Sequence, residues 1–199
     1  MANRVAVGWR KFWAMRQLLM SHGFSLKKRL ELFESTVSGT ILWASESWTP
    51  RAEELKRLQA TQNAMLRTIV NVRRADEETY IDWIVRSTHK AREIAVSAGA
   101  TLWAQAHFWK KWRWAGHVAR MTWDQWVPKV TRWRDAASGR LGIDLKRPTC
   151  RRWMKFEDPL RRWGALHGVE DWQAFAKDRE DWKDAAADFV RWACKTESE

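Results

Sequence analysis

LWAQAHFWKKWRWAGHVARMTW, residues 102–123, is apolar on nearly every side of a helix. At about 100° per residue, Trp103, Trp114, Val118 and Met121 fall on one side and Leu102, Ala106, Trp109 and Trp123 on another, while Trp112, Phe108 and Ala119 fill most of what remains. A helix with that pattern is buried or covered by a partner, yet this one also carries Lys110, Lys111, Arg113 and Arg120. Two readings compete. In one, the tryptophans are core and the basic side chains snorkel outward over apolar surface. In the other, some indoles and cations line a nucleic-acid groove, where rings offer stacking platforms and Lys/Arg neutralise phosphates. Both hold if they apply to different faces.

Outward from that stretch, the periodicity is helical throughout. Val5, Trp9, Phe12, Trp13, Leu19 and Met20 predict a first helix ending at His22-Gly23. Ser25 then stands at an N-cap, and Leu26, Leu30, Phe33, Val37, Ile41, Ala44 and Trp48 predict a second helix of about six turns, interrupted at Gly39. Thr49-Pro50 restarts the chain, with Glu53 and Glu54 placed to favour the helix dipole. Leu55, Leu58, Gln62, Met65, Ile69 and Val72 form a narrow seam. Asp76 is expected to cap a shorter helix with Tyr80, Trp83 and Ile84 inward, and the chain is weakest around Ser97 to Gly99. Val127, Val130 and Trp133 allow a short helix around Pro128; another is expected near Thr149, with Trp153 and Phe156 buried and Pro159 breaking or kinking it. Trp172, Phe175, Arg179, Trp182, Ala186 and Phe189 predict a final helix. No stretch reads as a strand, so the expected fold is all-α and multi-helix, a helical unit over 1–74 followed by a Trp-rich helical extension over 75–199.

The net charge of +12 is unevenly placed. Residues 1–74 carry 13 basic and 5 acidic side chains, 75–85 none and 4, 86–162 carry 18 and 6, and 163–199 carry 5 and 9. Positive potential gathered in two segments points to a polyanionic partner, RNA or DNA, on one side of the molecule. No apolar run approaches the roughly 20 residues that cross a bilayer, and the N-terminus lacks a signal-peptide core. The expectation is an intracellular protein, the nucleus included, with no membrane partner.

Catalytic chemistry has little to stand on. Polymerase or nuclease sites place carboxylates around divalent metals, and the acidic pairs here, Glu157-Asp158, Glu170-Asp171 and Glu180-Asp181, sit near helix starts or on polar faces. There is no glycine-rich phosphate loop and no nucleophile elbow. Cys150 and Cys194 have no companions at zinc spacing. His107 and His117 are too far apart along a helix to share a metal, and His22 and His167 read as loop residues beside glycines. No cofactor, no metal and no catalytic residue are expected. Arg179 lies in the last helix's seam, where the structural reading is a guanidinium stacked on an indole or paired with a carboxylate, and a phosphate contact is the minority reading.

Several motifs follow an order known elsewhere. Lys28, Leu30, Phe33, Val37 and then Ile41-Leu42-Trp43-Ala44-Ser45-Glu46-Ser47-Trp48 resemble the thumb segment of LINE-like non-LTR retrotransposon reverse transcriptases. Leu58, Gln59 and Leu66-Arg67-Thr68-Ile69-Val70 resemble that family's next helix. Arg113-Trp114-Ala115-Gly116-His117-Val118-Ala119-Arg120-Met121 is similar to its R-W-x-G-H-x-x-R-M stretch, and Arg147-Pro148 with Arg152-Trp153 to its G-R-P turn, with Lys146 in place of the glycine. Ala176-Lys177-Asp178-Arg179-Glu180-Asp181-Trp182 resembles its closing A-x-D-R-x-x-W. The palm with its paired aspartates, the endonuclease and any zinc knuckle have no counterpart in these residues.

The resemblance implies a thumb-like helical unit and the extension after it, from a parent that is an RNA-directed DNA polymerase. The expected function is non-catalytic nucleic-acid binding, holding a template-primer or hybrid, with a palm-bearing polymerase chain as a further partner. Lys27, Lys28 and Arg29 are expected to meet phosphates at one site, and Lys110, Lys111, Arg113, Arg120, Arg151 and Arg152 at another, without base readout. The rival reading is a helical protein-interaction module whose exposed tryptophans are hot spots.

Overall fold

The computed structural model describes residues 1–122, 124–127 and 156–196. Every regular element among them is helical. The short helix around Val130 and Trp133, and the one expected near Thr149, fall outside the described residues. The contacts divide the described residues into two compact units: residues 1–45 with 52–107, and residues 46–51 with 108–122, 124–127 and 156–196. That division does not coincide with the boundary expected at residue 74. The helix after it packs against the long helix before it, and the division falls within the Trp-rich helix instead.

The first unit begins with α1 (Ala2–Ala14) and α2 (Arg16–Leu19), two pieces separated at Met15 where one helix was expected. The next expected helix also changes character along its length. It is α-helical over Leu26–Phe33 (α3), widens into a π turn over Glu34–Ser38 and resumes over Gly39–Ile41 (α4), well short of Trp48. Leu30, Phe33, Val37 and Ile41 are nevertheless all buried. Spacings of four residues drift around an α-helix, and one wider turn returns the apolar residues to the core. Gly8 of α1 lies against Ile41, in space that a Cβ would fill.

The expected seam is realised in α5 (Ala52–Val70), where Leu55, Leu58, Gln62, Met65 and Ile69 are buried. Its partner α6 spans Tyr80–Ser97, and its cap is Thr79, whose hydroxyl accepts from the Asp82 N–H at 3.2 Å, in place of Asp76. Glu78, just before that cap, pairs with Arg86 at 2.7 Å, and that guanidinium holds its carboxyl down at about 2. The helix stops at Gly99, which takes a left-handed φ of 89° that a side chain disfavours. The Trp-rich helix α7 then runs Trp103–Ala119. Gln62 anchors its start: its amide donates to Thr101 O at 2.9 Å and accepts from the Trp103 N–H at 2.8 Å. Trp103 stacks on Phe33 at 5.9 Å and donates its indole N–H to Ser38 at 2.7 Å.

The second unit contains the rest of α7 together with α8 (Asp158–Leu166), α9 (Trp172–Phe175) and α10 (Arg179–Thr196). Pro159 begins α8, where its missing N–H costs nothing, and does not break a helix. The single final helix expected from Trp172 is two pieces, because the Asp178 side chain accepts from the Glu180 and Asp181 N–H groups at 2.9 and 3.1 Å and starts α10 afresh. Trp112, Trp163, Trp172, Trp182, Phe108 and Phe189 are buried together as an aromatic core. His167 is more than a loop residue: its Nδ1 donates to Trp163 O at 2.8 Å and its Nε2 faces Asp188 at 2.9 Å.

Candidate nucleic-acid interface

The two central tryptophans of this core are joined reciprocally. Trp112 and Trp182 stack with ring centroids 3.7 Å apart and planes 7° from parallel. The Trp112 indole donates to Trp182 O at 2.8 Å, and the Trp182 indole donates to Trp112 O at 3.2 Å. In a helix the Trp112 carbonyl already serves the N–H four residues on, that of Gly116. An outside donor reaches it only because residue 116 has no side chain, and a Cβ there would overlap the Trp182 ring. The glycine of the R-W-x-G-H stretch and the tryptophan of the A-x-D-R-x-x-W stretch are thus two halves of one contact.

Beside that contact opens a cleft of about 1030 Å³, lined by Trp109, Lys110, Arg113, Trp114, His117 and Arg120 from α7 and by Arg179, Trp182 and Lys183 from α10. Lys110, Arg113, His117 and Arg120 follow each other at spacings of three and four, which puts them along one stripe of the helix. Glu46 and Asp184 also line the cleft, leaving five Lys/Arg side chains against two carboxylates. Lys110, Arg113, His117 and Arg179 are exposed, and Trp114 is half-buried with its ring 5.5 Å from that of His117. Arg120 is half-buried and donates to Ala176 O at 2.6 Å. Burial, and then the neighbouring Arg179 charge, pull its pKa below the ordinary arginine value.

Arg179 is the largest revision to the sequence reading. It is exposed as the first residue of α10 and shares the cleft with another arginine, with neither an indole stack nor a carboxylate partner among the described residues. The Asp178 cap followed by Glu180 and Asp181 was the signal that places it at a helix start instead of within a seam.

The remaining candidates separate. Lys111 is buried; its Nζ donates to Trp48 O at 2.8 Å and lies 4.5 Å from the centre of the Phe156 ring. Its ammonium is committed to the interior, so the expected phosphate role does not fit its position. Lys27 and Lys28 are exposed in the first turn of α3 in the other unit, while Arg29 turns inward to Leu19 O and Ile69 O at 3.4 and 3.1 Å. Arg151 and Arg152 lie outside the described residues. A second cleft, in the first unit, includes Trp9, Trp13, Arg29, Arg67, Tyr80 and Trp83. Its arginines are spent internally, Arg67 on the Thr88 hydroxyl at 2.7 Å. Among the described residues no helix is long and apolar enough to cross a membrane.

The chain is 28% identical over 163 residues to an uncharacterized transposon-derived protein of Caenorhabditis elegans. The match takes in 78% of this chain and 53% of that protein, so the chain spans about half the length of the relative. The similarity points to a transposon origin. No family model and no solved structure matches.

Proposed function

We propose that the chain is a non-catalytic, nucleic-acid-binding fragment or remnant of a LINE-like non-LTR reverse transcriptase, equivalent to the thumb and the helical extension beyond it. The transposon-derived relative supports the broader origin, and the order of the motifs supports the narrower one. The observation that carries the binding role is the cleft, where two motifs distant in sequence converge and exposed cations alternate with indoles. Lys110, Arg113, Arg120 and Arg179 neutralise phosphates without reading bases. The palm aspartates of the parent have no counterpart here, so the chain holds nucleic acid and does not copy it. A palm-bearing chain would supply the chemistry.

The test is a titration of fluorescein-labelled oligonucleotides at several salt concentrations. Phosphate binding predicts a log affinity that falls linearly with log salt, by about 0.7 to 0.9 per contact. A flat response, or no binding in dilute buffer, overturns the proposal. The rival protein-interaction reading rests on α6, where Tyr80, Ile81 and Val85 are 63%, 73% and 65% exposed; it predicts an association indifferent to salt.

A further inference from the structure

Duplex and single-stranded nucleic acid present the same phosphates but different base surfaces. In a duplex the base faces are covered by their neighbours, and an indole meets them only at an end. In a single strand each base has a free face, so aromatic side chains interleaved with cations favour unpaired strands. The cleft of the second unit has that composition. Trp109 is 38% exposed and one residue from Lys110, and Trp114 is one residue from Arg113 and in ring contact with His117. Behind these rings the stacked and reciprocally hydrogen-bonded Trp112 and Trp182 join α7 to α10.

Arg120 and Arg179 bring two guanidinium groups into the same cleft. Two guanidinium groups repel, and proteins usually place a carboxylate between them. Here Arg120 is fixed by Ala176 O, and Arg179 approaches it from the start of α10 with no acidic partner among the described residues. Glu46 and Asp184 line the same cleft, but neither is paired with Arg179. An anion held between the two guanidiniums removes the repulsion and satisfies both forks.

We propose that this cleft binds single-stranded nucleic acid, with one backbone phosphate between Arg120 and Arg179 and adjacent unpaired bases stacked on Trp109 and Trp114, and that it discriminates against duplex. The inference rests on the nucleic-acid reading above and narrows it to a strand state.

The experiment compares one mixed-sequence 20-nucleotide DNA strand with the same sequence as a blunt duplex, by fluorescence anisotropy on the full chain at fixed salt. Trp109→Ala and Arg179→Gln are suitable variants because both side chains are exposed, and circular dichroism confirms that each is folded. The single strand is expected to bind about tenfold or more tightly than the duplex. Trp109→Ala is expected to weaken the single strand by about tenfold, the order of one lost base stack, with little change for duplex. Arg179→Gln should weaken the single strand and lower its salt slope by about 0.7. Equal affinity for the two ligands, with Trp109→Ala silent, overturns the strand preference and leaves general nucleic-acid binding standing. Salt-sensitive binding unaffected by Arg179→Gln overturns the phosphate seat. No binding of either ligand overturns both this inference and the reading beneath it.

Discussion

Gly116→Ala reverses the sign that helix propensity alone dictates, and so tests whether the two motifs meet as described. In an isolated helix the change stabilises by about 1 kcal/mol. Here the new Cβ would overlap the Trp182 indole, which has no easy escape because it is buried, stacked on Trp112 and hydrogen-bonded to its carbonyl. Displacing the ring gives up a stacking contact of about 1 kcal/mol and two hydrogen bonds at about 1 kcal/mol each. Against the propensity gain, the net loss is about 2 kcal/mol. For a chain of this size that is about 4 to 8 °C in Tm. Thermal melting followed by circular dichroism, with urea titration to confirm an unchanged m value, reads it directly. A variant stabilised by about 1 kcal/mol, the helix-propensity gain alone, would mean that no indole lies against residue 116.

Three further outcomes follow from individual side chains. Arg113→Ala, at an exposed side chain, should leave the melting temperature unchanged and lower the salt slope on a duplex, where binding occurs, by roughly 0.9 and on a single strand by roughly 0.7. Lys111→Ala should do the reverse, costing about 2 kcal/mol of stability through a lost charge-assisted hydrogen bond and packing, with the salt slope untouched. Glu34, in the π turn, has its carboxyl pushed up from 4.5 to about 7, chiefly by burial, against hydrogen bonds from Ser38 and the Thr101 backbone that lower it. Between those pH values the folded chain binds a proton that the unfolded chain does not, so stability falls as pH rises from 4.5 to 7. The full shift is worth about 3 kcal/mol, discounted to roughly 2 for the solvent that reaches the group. Glu34→Gln should flatten that part of the stability profile, as urea midpoints across the range will show.

Helical periodicity was legible wherever one apolar stripe meets one partner. The α5 seam and the Trp182, Ala186 and Phe189 seam of α10 are buried as their spacing implies. The breaks were less legible. The interruption at Met15 and the π turn at Glu34–Ser38 leave the apolar spacing intact, because they are adjustments to a three-dimensional core. At Thr79 the competing signal was a run of acids beginning at Asp76, whose third member is drawn to Arg86 instead of to the helix dipole.

The site was legible as a stretch and not as a surface. Periodicity could not separate Lys110 from Lys111, since adjacent residues on an all-round apolar helix differ only in what stands opposite them. Trp48 O and Phe156 stand opposite Lys111, and the cleft opens beside Lys110. Arg179 was misplaced for the opposite reason, because its spacing from Phe175 and Trp182 continues across a helix break that the Asp178 cap creates.

The proposed binding places nucleic acid in the cleft between α7 and α10. Ultraviolet crosslinking of a single-stranded oligonucleotide to the full chain, followed by mass spectrometry of the digested peptides, asks which residues it touches. Adducts are expected on Trp109, Trp114 or His117, lost when Arg179 is replaced by glutamine. Adducts confined to residues outside the cleft, such as the α3 segment with Lys27 and Lys28, would contradict it.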